Sequence, residues 1–477
     1  MQIISLLFFI FATLVFFGIF ICNSLVTQDS SKIRITKWIL FISSYIFVIV
    51  GSISFAVVLA ALTVIVWFCA KHRKITYLGI IASVGFLAYF KYTNFFIDSF
   101  AHLFGTDDFT AIKIILPLGI SFYTFSAISY LVDVLQCKIK AHSFLDVAIY
   151  LSFFPKITSG PIQKSNDFFV ELNRPRNIGW SSFSIGIQIF CFGLFKKLVL
   201  ADNLSLFVNQ VFNTPLAFSG FTVLLAVLSY TLQIYFDFSG YSDMAIGVAR
   251  ILDIHLPRNF NLPYISHNVT EFWKRWHITL SSWLQEYVYI PLGGSKKGKM
   301  RTYLNLLLTM IIGGIWHGPS WTYIFWGLLH GLGLVVHKLW MKFTKSTNRH
   351  HSVLFNAISI TITFAFTSFC WIFFRADTLT HAFQILKQLS SWNIGIQHPY
   401  IWVFFSLIVL LTSTIVAFHN TKKKSLTPKH LNQSPIDAHY PIFNLGSFWG
   451  LVYFFVLCGL IIALAYVGGS PFIYGAY

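Results

Sequence analysis

Two histidines stand where an imidazole could move a proton. His317 lies in residues 302–333, TYLNLLLTMIIGGIWHGPSWTYIFWGLLHGLG, a stretch apolar enough for a bilayer but interrupted by Gly313-Gly314-Ile315-Trp316-His317-Gly318-Pro319. Broken backbone is tolerated at membrane depth only inside protein or beside a wet cavity, and an ionisable side chain there is a functional-site candidate. His277 lies in residues 270–291, TEFWKRWHITLSSWLQEYVYIP. At about 100° per residue, Trp273, Trp276, Leu280, Trp283 and Tyr287 form one stripe, opposite Glu271, Lys274, Arg275, Ser282 and Glu286. The spacing predicts one helix lying in the interface, aromatic side down, with His277 on the aromatic face. A headgroup anchor at His277 and a hydrogen-bonded packing histidine at His317 are the structural alternatives. His330 and His337 follow on the next helix, but no carboxylate or thiol joins them at ligand spacing, so a metal site is not expected.

A third constellation is QIYFDFSGYSD at 233–243. Asp237 and Asp243 flank Gly240 beside a membrane span, and buried carboxylates cost several kcal/mol unless paired or wet. They either hold a helix break, pair with Arg250 or Arg258, or line a donor or acceptor passage together with Tyr241.

The elements that must position these residues follow from composition. Of 477 residues, 56% are hydrophobic and 10% charged, against about 25% charged in soluble domains. The fold class expected is an all-α polytopic membrane protein, one integral domain over 1–477. The net charge of +18 sits in short basic clusters between apolar runs, the signature of cytoplasmic loops and not of a nucleic-acid surface. Six scattered cysteines show no CxxC or zinc spacing. The N-terminus reads as a retained first span and not a cleaved signal.

Spans are expected at 3–26, at 38–70 as a hairpin of two short helices about Gly51-Ser52, at 76–98 and at 114–135. Residues 145–165 are too short and proline-interrupted for a plain span and predict a re-entrant segment. Further spans are expected at 180–200, 217–238, 353–374, 400–418 and 447–467. Basic residues after the first span put the N-terminus outside; Lys71-His72-Arg73-Lys74, and then Lys138 and Lys140, return the chain to the cytoplasm. Lys296, Lys297, Lys299 and Arg301 make the 296–301 loop cytoplasmic too. About fifteen residues at about 1.5 Å each then carry His317 roughly 22 Å into a core of about 30 Å. On this arithmetic His277 lies near the cytoplasmic face, His317 lies deep, and the two have separate roles.

WKRWHITLSSWLQEYVYIPLGG and IWHGPSWTYIFWGLLHG resemble the membrane-bound O-acyltransferase family, nearest the branch of bacterial alginate O-acetylation. LPLGISFYTFSAISYLVDV, FFPKITSGPI, IYFDFSGYSDMAIGVAR, WIFFRA and the closing SPFIY fall in the family's order. The apolar runs add up to about 11–13 transmembrane, re-entrant and interfacial helices, and the resemblance implies that they form a ring around a thin tunnelled centre. It implies transfer of an acyl group, acetyl above all, from a cytoplasmic thioester to a hydroxyl of an extracytoplasmic polysaccharide, in a multi-pass protein of the bacterial inner membrane. Acetyl-CoA is the implied donor substrate, no cofactor is tightly bound, and a separate periplasmic acetyltransferase or carrier protein completes transfer. The family's two histidines match His317 and His277, with Trp276, Trp283, Trp316 and Asn305 lining the tunnel. Gln285-Glu286 departs from the branch's usual Arg-Asp, so no arginine role carries over. His317 as general base and a covalent acyl-His317 both fit. D-alanyl or other acyl transfer to a cell-wall polymer, a transporter or flippase using the broken helix, and a non-catalytic assembly subunit are the rival readings.

Overall fold

The computed structural model describes residues 3–105, 112, 114–176, 178–344, 352–391, 403, 405–410, 412, 440, 442–466, 468 and 473. Among the described residues the chain forms helices and no strand. Eight helices among the described residues are long and apolar enough to cross a membrane: Leu6–Leu25, Asp29–Gly51, Ile53–Lys71, Arg73–Phe104, Trp180–Asn213, Gly220–Ile251, Trp321–Thr344 and Val353–Arg375. This is a multi-pass membrane protein. The shorter apolar helices Ile120–Leu135 and Phe448–Leu464 add to these. Most of the span expected over 400–418 lies outside the described residues.

The chain divides into two compact units, Met1–Phe190 with Ser242–Pro257, and Cys191–Tyr241 with Arg258–Tyr477. The first holds α1 (Leu6–Leu25), α2 (Asp29–Gly51), α3 (Ile53–Lys71), α4 (Thr76–Phe104) and α5 (Ile120–Leu135). The hairpin expected over 38–70 breaks at Ser52, whose side chain caps α3 by accepting from the Ser54 N–H at 3.2 Å. Its arms have 23 and 19 residues, full spans and not short ones. α2 begins at Asp29, so Lys32, Arg34 and Lys37 sit on its first turns and not in a loop; their long stems allow the charge to reach water from a helix. α5 starts six residues later than the apolar run, because Gly119 turns through φ 73° and a side chain there would strike the Ile157 carbonyl.

Residues 145–165 form α6 (Phe144–Ser152) and a buried turn leading to α7 (Ser165–Leu172). Within the turn Lys156 is buried, its ammonium over the rings of Tyr150 and Phe168, each at 4.3 Å. Arg174, just past α7, bridges Glu171 at 3.0 Å and Asp253 at 2.7 Å. Burial alone would raise the Glu171 carboxyl, but hydrogen bonds from His255 and Arg174 outweigh it and hold the group down at about 2. Arg250 pairs with Asp253 at 3.4 Å.

The second unit opens at Cys191, near the end of α8 (Trp180–Leu194), passes through the π-helical turn Phe195–Ala201, continues as α9 (Asp202–Asn213), and includes most of α10 (Gly220–Ile251). Next come α11 (Val269–Arg275), α12 (Ile278–Leu284), α13 (Lys299–His317), α14 (Trp321–Thr344), α15 (Val353–Arg375), α16 (Leu379–Leu389) and α17 (Phe448–Leu464). α13 and α14 are the two arms of the broken stretch. The break is confined to Gly318, Pro319 and Ser320, while Gly313 and Gly314 remain helical. Those glycines serve packing: a side chain on Gly314 would strike the Tyr323 carbonyl, and one on Gly327 the Met310 carbonyl. The arms therefore touch backbone to backbone.

Candidate active site

His317 is the last residue of α13, held there because Gly318 takes extended backbone at φ −170° and Pro319 cannot continue the helix. It is buried at 3% exposure. Its ring is surrounded by Trp316 at 4.9 Å, Trp326 at 5.0 Å and Phe374 at 5.2 Å, all edge-on. Trp326 comes from α14 and Phe374 from α15, so three helices enclose one imidazole. These rings set the imidazole in an apolar surrounding.

His277 arrives by a different device. The helix expected over 270–291 is not one helix: α11 ends at Arg275, Trp276 is extended at ψ 130°, and His277 is left-handed at φ 40°. α12 then runs to Leu284 and passes into a π-helical turn, Gln285–Tyr289. The physical reason is Asn259, which offers a template the helix lacks. Its carbonyl accepts the Ile278 N–H at 2.8 Å, and its side-chain oxygen accepts from the Thr279 hydroxyl and stands 3.3 Å from His277 Nδ1. An amide oxygen only accepts, so Nδ1 carries the ring proton and Nε2 the basic lone pair. The polar pattern survives the break. Trp273, Trp276, Leu280 and Trp283 are buried and Lys274 is exposed, but the aromatic side faces protein: Trp276 packs on Trp371 at 4.9 Å and Trp273 on Trp326 at 5.8 Å.

The kink corrects the depth arithmetic. His277 is fully buried and lies 6.1 Å from the Trp316 ring, whose other neighbour is His317 at 4.9 Å. One indole touches both histidines, which are therefore neighbours and not separated by most of a bilayer's thickness. Phe238 of α10 closes over His277 at 4.6 Å.

The other expected lining residues divide. Trp276 and Trp316 join the histidines. Trp283 is buried beside Tyr287 at 5.3 Å. Asn305 is buried and donates to the Gly294 carbonyl at 2.9 Å, tying α13 to the preceding loop. Tyr241 is buried in the second unit and Asp243 in the first.

Asp237 has a partner that none of the expected pairings supplies. It does not brace a helix break, since α10 is continuous through 233–243, and it does not pair with Arg250. Lys197 of the π-helical turn meets Asp237 at 2.6 Å and Asp202 at 2.8 Å, all three nearly or fully buried. The second Asp237 oxygen accepts the Ile473 N–H at 2.9 Å. Gly240 admits this contact, because a side chain there would lie 2.7 Å from the Gly193 carbonyl. A charged FKK run at the end of an apolar helix was the available signal for Lys197. His330, also fully buried, was noted in the sequence only as a failed metal ligand.

The sequence pattern of the MBOAT, membrane-bound O-acyltransferase family matches residues 2–375. Among curated proteins, the chain is similar to a peptidoglycan O-acetyltransferase of Helicobacter pylori, 40% identical over 351 residues, covering 68% of this chain and 66% of that protein, just under two thirds of its length. It is 36% identical over 399 residues to a probable alginate O-acetylase, AlgI, of Pseudomonas aeruginosa, covering 80% of this chain and 75% of that one. A teichoic acid D-alanyltransferase of Streptococcus thermophilus is 31% identical over 254 residues, 49% of this chain and 59% of that protein.

Proposed function

This chain belongs to the membrane-bound O-acyltransferase family, and from that premise we propose that it moves an acetyl group from a cytoplasmic thioester across the membrane, by way of an acceptor hydroxyl, for O-acetylation of an extracytoplasmic polysaccharide. The observation that carries the reading is the buried imidazole of His317 at the end of a broken membrane helix, one indole away from His277. Its relatives named for O-acetylation of peptidoglycan and of alginate supply the acyl group and the class of acceptor.

In this reading His317 takes the proton of the acceptor hydroxyl as general base. The hydroxyl oxygen attacks the thioester carbonyl carbon, the carbon–sulfur bond breaks, and the proton returns to the departing thiolate. His277, its basic nitrogen Nε2 set by Asn259, orients the reacting groups. The aromatic walls keep water from intercepting the acyl group. Acetyl-CoA is the donor, held at the inner face by the exposed Lys296, Lys297, Lys299 and Arg301, whose charge suits its phosphates. The protein lies in the bacterial inner membrane, and a separate periplasmic acetyltransferase or carrier delivers the acetyl group to the polymer. D-alanyl transfer to a teichoic acid is the second reading, favoured by the D-alanyltransferase similarity.

The test is His317→Ala, purified in detergent with monodispersity checked. Loss of thioester turnover by about a thousandfold or more is the expected result for removing the base together with its positioning. Full turnover in a folded variant would overturn His317 as the base; no thioester turnover in the unsubstituted protein would leave a transporter as the better account.

A further inference from the structure

We propose that Trp326 and His330, both on α14, bind the acyl carbonyl oxygen through their ring N–H groups and stabilise the charge it develops during transfer. The proposal rests on the acyltransfer reading of His317 and adds two substrate-contacting residues to it.

The tautomer of His330 is decided by its neighbour. Trp273 Nε1 lies 3.3 Å from His330 Nδ1, and an indole nitrogen can only donate. Nδ1 therefore holds the lone pair, and the ring proton is on Nε2. That Nε2–H is fully buried and has no hydrogen-bond acceptor among the described residues. Among the described residues, the rings of Phe272, Trp273, Trp326, Phe366 and Trp371 pack around this imidazole. The indole N–H of Trp326, buried at 1% exposure, likewise finds no acceptor among the described residues. Native proteins rarely leave buried donors unmet, and such groups call for an explanation.

The two rings that carry these donors are neighbours of each other, and one of them packs on the base. The Trp326 ring is centred 4.9 Å from His330 and 5.0 Å from His317, so one acyl group at His317 can meet both. The chemistry of the pair selects the occupant. A water placed there would gain two donors and strand its own hydrogens among aromatic rings. A carbonyl oxygen accepts without donating, so it satisfies the site completely. As the hydroxyl attacks, the carbonyl electron pair moves onto this oxygen, and it returns when the carbon–sulfur bond breaks. Donors fixed in a dry cage are worth most while that charge is present.

The experiment compares Trp326→Phe, His330→Phe and His330→Gln. Phenylalanine keeps a ring and removes the N–H; glutamine restores an amide donor near the Nε2 position. The phenylalanine variants should lose about a hundredfold in kcat for thioester turnover, with KM for the thioester changed little, and His330→Gln should recover part of that loss. A second readout needs no turnover. In a His317→Ala background, binding is measured for two phosphopantetheine analogues: a methyl ketone with CH2 in place of the thioester sulfur, and a thioether with no carbonyl. The ketone should bind more tightly than the thioether, and Trp326→Phe or His330→Phe should remove the difference. Unchanged kcat in folded His330→Phe and Trp326→Phe, or equal affinities for ketone and thioether before substitution, would overturn the proposal. Residual turnover in His317→Ala would count against the base and not against these donors, so the two readings fail separately.

Discussion

A histidine with φ 40° holds a conformation that its Cβ opposes. For a residue with a side chain the left-handed region costs about 1–2 kcal/mol, and glycine escapes that cost. The native contacts of His277 with Asn259 offset it. Without the imidazole, the strain remains in His277→Ala but not in His277→Gly. Both variants should lose most activity, yet His277→Gly should melt above His277→Ala, by the equivalent of about 1 kcal/mol. Thermal unfolding in detergent checks this, and the reverse order would mean that Asn259 does not fold the chain at this point. Both histidines were legible in the sequence because an ionisable group inside an aromatic stripe or beside a Gly-Pro step is costly without a use. Their nearness was not legible. It depends on a kink at Trp276–His277 templated by Asn259, 18 residues away, and the uninterrupted amphipathic period of 270–291 gives no sign of it.

At the scale of elements, the position of His317 follows from how closely α13 and α14 can approach. Gly314 and Gly327 let the arms meet backbone to backbone, and added side chains would collide with the Tyr323 and Met310 carbonyls. Gly327→Ala should cost about 1–3 kcal/mol in stability, as overpacking does. It should also lower turnover, because Trp326, next in the chain, packs on His317. Gly459→Ala on α17 is the control: a side chain there meets nothing within 4 Å, and the helix gains from alanine. Equal melting temperatures for the two variants would refute this account of the hairpin. The break itself was legible from Gly318-Pro319, a signal local to the chain. The Gly313-Gly314 pair was not, since glycine marks a break and a close contact in the same letter. Lys197 shows a similar limit. Its partner Asp202 is five residues away, but Asp237 is 40 residues away across a turn between helices, and only packing brings the triad together.

For the molecule as a whole, the direction of transfer depends on which side the basic loops occupy, and one cysteine reports it. After α5 the chain turns at Cys137, followed by Lys138 and Lys140, which the positive-inside rule assigns to the cytoplasm. The 296–301 stretch that leads into the first turn of α13 carries the same kind of cluster, so Cys137 and the proposed donor entrance should share a side. Cys137 is exposed; Cys22, Cys69, Cys191 and Cys370 are buried and Cys458 is half-buried. A membrane-impermeant maleimide should therefore label this protein at Cys137 in inside-out vesicles and leave it unlabelled in intact spheroplasts, and Cys137→Ser should abolish the signal. Labelling from outside would invert the orientation. The lysines of 296–301 would then face the acceptor, and a cytoplasmic thioester would have to enter from the end of α13 that carries His317.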